Sequence, residues 1–186
     1  MQKTSRSSWL SWLLLPVPPF LLVMIGFVLF VSTGRDDSHI SYWPAYTLTH
    51  FGEIVNHSGE SIEQSSSLLF VVILALVLHV SEATAPSLGP MVSVFFGILS
   101  ILVTQRLVAV IVPRISLAAA FIISTSVYVI YWSFSGMETT LTAFTSGWLL
   151  LSFLAYLNRG YTPCGEYGSG SPPPAFCWCG PNPSWW

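Results

Sequence analysis

A chain of 186 residues with 53% hydrophobic and only 8% charged residues, and a mean hydropathy of +0.67, lies outside the range of soluble domains, in which about a quarter of residues are charged. The composition reads as an integral, all-α, polytopic membrane protein. Six scattered Lys and Arg and a net charge of -2 exclude a basic nucleic-acid-binding patch. All three cysteines (Cys164, Cys177 and Cys179) fall near the C-terminal end, so no disulfide or metal framework organises the hydrophobic body.

The first apolar run covers residues 9–31, after Lys3 and Arg6 and before Gly34-Arg35-Asp36-Asp37. At about 23 residues it is long enough to span a bilayer and reads as a signal-anchor helix with its N-terminus inside. Pro16, Pro18 and Pro19 predict a kink in its first half. Residues 32–66 form a long polar outer loop holding most of the acids. Within it a short interfacial helix is predicted over 44–51, since proline suits a first helical turn and Trp and Tyr favour interfacial depth.

The next apolar run, 68–80, is 13 residues long, which is short for a span and suits a juxtamembrane helix on the outer surface. On that assumption 89–103 runs inward, 105–114 is an inner turn, 116–134 runs outward and 140–157 returns. The result is about four transmembrane helices plus the juxtamembrane helix. It places Arg106, Arg114 and Arg159 inside, as the positive-inside rule requires, whereas a spanning 68–80 would put all three outside.

Residues 159–186 break the pattern. From residue 160 on there is no Leu, Ile or Val, and the stretch reads as a disordered tail or as text in a shifted frame. Cys177-Trp178-Cys179 lacks the spacing and the further ligands of a zinc site.

Asp36 and Asp37 are the leading candidates for chemistry. Two adjacent carboxylates repel, and both lose hydration beside a low-dielectric slab. A cation, a proton or a sugar hydroxyl would each give such a pair a use. The alternative is a solvated topological boundary. Two segments carry a resemblance. The first runs Asp36-Asp37-Ser38-His39-Ile40-Ser41-Tyr42 and continues through Asn56-His57-Ser58-Gly59-Glu60 to Glu63. The second is Ser135-Gly136-Met137-Glu138-Thr139, at the end of an outward helix. Over residues 9–158 the chain resembles the GT-C superfamily of polytopic membrane glycosyltransferases, in the branch of the mycobacterial arabinofuranosyltransferases and their bacterial relatives.

The resemblance implies transfer of a sugar from a polyprenyl-phosphate donor to a glycan or lipid acceptor on the outer face of a bacterial inner membrane, with inversion. One of Asp36 and Asp37 would be the base, and its neighbour would orient the acceptor or hold a divalent cation. Paired acids also push one pKa upward, which suits a base near neutrality. Glu138, His39, Glu60 and Glu63 are the candidate substrate contacts. Their blander readings are a helix-terminal acid for Glu138, a solvated loop residue for His39, and loop-fixing for Glu60 and Glu63. Tyr42, Tyr46, Tyr128, Tyr131 and Trp132 read as interfacial anchors. Trp43-Pro44 stands where relatives often carry Arg, which removes one candidate phosphate contact, and Gln64 stands where Gly is common. Such enzymes carry more helices than this chain offers, so the expectation is an N-terminal portion that does not turn over alone. The competing class is a small non-enzymatic polytopic protein, a transporter subunit or assembly factor, indifferent to Asp36 and Asp37.

Overall fold

The computed structural model of the chain describes residues 16–30, 36–56, 58–61, 67–81 and 83–160. The described residues form seven α-helices and no strand. The polar tail with its cysteines, Glu63 and the first 15 residues lie outside them.

The first helix, α1 (Val17–Leu29), has Pro18 and Pro19 in its opening turn and Pro16 as its N-cap. The prolines thus lie at the start of the described helix, and the residues before them, across which the kink is expected, lie outside the described residues. Proline is tolerated in a first turn, where its missing N–H has no intrahelical acceptor, and costs most in an interior. At 13 residues the described helix is shorter than a span. A 3-10 turn (Asp36–Ser38) leads into α2 (His39–Phe51), which starts five residues before the expected boundary and contains Pro44 in its interior. The helix ends on Gly52 at φ 75°, the left-handed C-cap that glycine accepts without strain.

The next helix, α3 (Leu68–Val80), has the bounds that its apolar run implies, with the Ser67 hydroxyl capping Phe70 N–H. The longest helix is α4 (Ala85–Ile111). It continues through Gln105 and Arg106, so the expected turn there is helical, and the chain reverses instead at a 3-10 turn (Pro113–Ile115). The reason is composition: Leu107, Val108, Ala109, Val110 and Ile111 follow without a breaker until Pro113, and Pro stops a helix before itself.

The expected single outward span is broken into α5 (Ser116–Ser124) and α6 (Val127–Phe134), bent by 59°. Ser and Thr dominate residues 124–126, and their hydroxyls compete for helix carbonyls. Thr125 Oγ1 donates to Phe121 O at 2.9 Å, and Ser124 Oγ donates to the same carbonyl at 2.9 Å. The last helix is α7 (Thr139–Gly160). Its residues up to Leu151 belong with all the preceding elements to one compact unit, and those from Ser152 belong to a second.

By length and composition α4 and residues 139–157 of α7 can cross a membrane, and the bent pair α5–α6 makes a third span if counted as one. Among the described residues this makes two or three of the four expected spans, and the first expected span, 9–31, lies partly outside them. Two cores lie along α4. One gathers Tyr42, Phe70, Leu74, Val92 and Leu141 from α2, α3, α4 and α7. The other gathers Leu22, Ile101, Ala120 and Ile130 from α1, α4, α5 and α6.

Candidate functional site

The site is built where α2 crosses the start of α4 and the turn between α6 and α7. Tyr42 joins the three. Only 2% of it is exposed, whereas a Tyr serving as an interfacial anchor would stand at the surface. Its ring lies so close over Gly89 of α4 and Gly136 of the turn that a Cβ at either position would overlap the phenol. Gly136 also has φ 76°, so two independent constraints reserve that position for glycine.

The Tyr42 hydroxyl is buried, and the polar group close to it is the Ser38 side chain, short of full hydrogen-bond geometry. Burial pushes its pKa above the ordinary value, and the Ser38 side chain offsets part of that shift. A phenol so placed stays protonated at neutral pH.

The turn that receives Tyr42 is fixed by polar contacts across the helices. Ser93 Oγ of α4 donates to Met137 O at 2.8 Å, Thr140 Oγ1 of α7 donates to Ser93 O at 2.9 Å, and Ser100 Oγ donates to Thr140 O at 3.1 Å. Within the turn Met137 N donates to Ser135 Oγ at 3.3 Å. These hydroxyls tie α4 to α7 and to the turn before it, the role such side chains play in apolar bundles.

The two segments singled out in the sequence are thus packed together, Tyr42 of one against Gly136 of the other. Asp36 and Asp37 open the 3-10 turn that precedes α2, and the Asp37 side chain is exposed. Glu138 is half-buried, and its carbonyl accepts Thr142 N at 2.9 Å as α7 begins. His39 is exposed, with its ring edge-on to Tyr42 at 5.3 Å.

Glu60 belongs elsewhere, in a tight exposed loop. Asn56 Oδ1 accepts the N–H groups of Ser58 and Glu60, and Asn56 Nδ2 donates to Glu60 Oε2 at 3.2 Å. Its contacts are those of a loop-fixing residue. No group of three metal-ligating side chains gathers among the described residues.

Sequence reasoning missed the partners of the second segment, Ser93 and Thr140. The signal was a hydroxyl in the middle of an apolar helix, which asks for an acceptor. It also missed the cleft beside α2. Of about 710 Å³, this cleft opens between α2 and the connection from α3 to α4, and His39, His50 and His79 all line it. Trp43 Nε1 ties the same helix to the following loop by donating to Val55 O at 2.9 Å.

No family model, curated protein or solved structure matches this chain.

Proposed function

We propose that the chain carries the acidic outer loop of a GT-C membrane glycosyltransferase, which passes a sugar from a polyprenyl phosphate to a glycan or lipid acceptor on the outer face of a bacterial inner membrane. The observation that carries this reading is the Tyr42–Gly136 packing. Two segments far apart in the chain, each suggestive of that superfamily on residue grounds, share one end of the fold. The exposure of Asp37 adds support, because a base must reach an incoming hydroxyl.

In this mechanism Asp37 or its neighbour Asp36 takes the proton of the acceptor O–H. The acceptor oxygen then forms a bond to the anomeric carbon while the bond from that carbon to the donor phosphate oxygen breaks. Polyprenyl phosphate departs with the electron pair, and the sugar is inverted. Glu138 lies next to the turn that Tyr42 buttresses and serves to orient the substrate.

The test is sugar transfer in membranes bearing the chain joined to the later helices that such enzymes carry, supplied with radiolabelled polyprenyl-phosphate sugars. Asp37→Asn or Asp36→Asn should lower incorporation by about 10²- to 10⁴-fold, the usual worth of a positioned base. Membrane insertion should be unchanged. Undiminished transfer in both variants would sink the assignment.

A further inference from the structure

Two polar side chains are buried at the start of α2. Ser38, the last residue of the Asp36–Ser38 turn, has no exposed surface, and Tyr42 is almost as deep. Four residues apart where a helix begins, they stand on one face, and the Ser38 side chain is the polar group beside the phenol oxygen. The same oxygen lies against Gly136, in the turn that leads to Glu138. One hydroxyl thus stands between the two turns that carry the candidate acids. We propose that Tyr42 is a positioning residue. Through Ser38 it sets the Asp36–Ser38 turn, and with it the Asp37 carboxylate, in register with the turn that carries Glu138. The role rests on the glycosyl-transfer reading and adds to it a residue that meets no substrate.

Packing alone does not call for the hydroxyl. A phenylalanine would fill the space over Gly89 and Gly136 without desolvating an oxygen whose hydrogen bonding is incomplete. Departures from such local rules tend to fall at functional sites. The oxygen is also buried, so contact with the reacting atoms is left to Asp37, which is exposed.

The two sides of the phenol differ in how they are held. On the Gly136 side, Ser93 Oγ donates to Met137 O at 2.8 Å, and Thr140 Oγ1 donates to Ser93 O at 2.9 Å. These bonds fix the turn to α4 and α7. On the other side, Asp37 sits in a 3-10 segment of three residues. Ser38 is the N-cap of α2, where serine commonly accepts a helix N–H, yet its side chain makes no capping bond. It stands beside the phenol instead. The well-held turn is therefore the frame, and Tyr42 carries its position to the acidic turn. A misplacement of about 1 Å can cost a reaction about 10²-fold, so a contact of little worth to stability can govern transfer.

The test is steady-state kinetics in membranes bearing the chain joined to the later helices that such enzymes carry, with radiolabelled polyprenyl-phosphate sugars as donors. Tyr42→Phe should lower kcat about tenfold and leave the KM for the donor and the melting temperature in detergent nearly unchanged. Loss confined to kcat marks an interaction made in the transition state. Ser38→Ala should lower kcat alike, and the double variant should fall no further than either single one, because both act through one contact. Ser38→Ala also covers the case in which Tyr42→Phe misfolds. Full kcat in both single variants, or losses that multiply in the double variant, would overturn the positioning role and leave Asp37 as the base. A raised KM at unchanged kcat would make Tyr42 a substrate contact, and a kcat loss matched by a lower melting temperature would make it structural; either overturns the role. Absence of transfer by the unmodified protein would instead overturn the glycosyl-transfer reading, and this role with it.

Discussion

Tyr42 carries a large ring and a desolvated hydroxyl into the same cradle, and the two parts pull stability in opposite directions. Removing only the hydroxyl deletes a desolvated polar group whose burial the Ser38 side chain offsets only in part, so Tyr42→Phe should leave thermal unfolding in detergent nearly unchanged. Tyr42→Ala should cost about 3–5 kcal/mol, as for other buried aromatic rings. The pH dependence follows from the raised pKa. Between the unfolded and folded values the native state binds more protons than the unfolded one, so stability falls as pH climbs above about 10. Tyr42→Phe should flatten that alkaline loss, and an unchanged slope would show that another group causes it. Gly136 and Gly52 offer a matched pair, at φ 76° and φ 75°. A Cβ on Gly52 meets nothing, whereas one on Gly136 meets the phenol. Gly52→Ala should cost about 1–2 kcal/mol of backbone strain. Gly136→Ala should cost that plus about 1–3 kcal/mol of overpacking, and the melting shifts of the two variants separate the terms.

At the scale of the elements, what the sequence reveals depends on how local the cause is. The bounds of α3 were legible because an unbroken apolar run between Ser67 and Ser81 decides them. The early start of α2 was not, since Pro44 looks like a first-turn residue until the turn Asp36–Ser38 is seen feeding the helix from upstream. The passage of α4 through Gln105 and Arg106 was hidden by a rule that treats polar pairs as boundaries. The break at Ser124–Ser126 was readable in principle, because clustered hydroxyls compete for carbonyls, but hydropathy alone joins the flanking segments. The candidate site divides the same way. Asp36 and Asp37 could be named from residue chemistry and Glu138 from the resemblance of its segment, whereas the contact between the segments rests on Tyr42 fitting over two glycines, one in α4 and one in the turn before α7. The Ser93–Thr140 pairing is equally non-local and can be measured. Ser93→Ala and Thr140→Val should each destabilise the fold by about 0.6–1.7 kcal/mol. Because Ser93 accepts from Thr140 through its backbone carbonyl and donates to Met137 through its side chain, the double variant should be close to additive. A large coupling energy would show that the two hydroxyls act as one network.

For the whole molecule, packing constrains topology more tightly than hydropathy does. Gly89 near the start of α4 and Gly136 before α7 both touch Tyr42, so those two helix starts share one end of the fold with α2. The far end of α4 lies 27 residues on, about 40 Å at 1.5 Å per residue, enough to carry the Pro113–Ile115 turn to the opposite side of a bilayer core about 30 Å thick. This relation holds whether or not α1 or α3 spans, and it leaves orientation to the basic residues. Arg106 and Arg114 flank the far end, which the positive-inside rule assigns to the cytoplasm. Single cysteines at the exposed positions Ala83, Ile115 and Thr139, in a background with Cys164, Cys177 and Cys179 changed to Ser, test both statements. An impermeant maleimide added to intact cells should label Ala83→Cys and Thr139→Cys and spare Ile115→Cys until the membrane is opened. The reverse pattern would keep the packing and invert the orientation, moving Asp36, Asp37 and the histidine cleft to the cytoplasmic face and removing the outer-face acceptor. Labelling of Ala83→Cys without Thr139→Cys would contradict the Tyr42 junction itself.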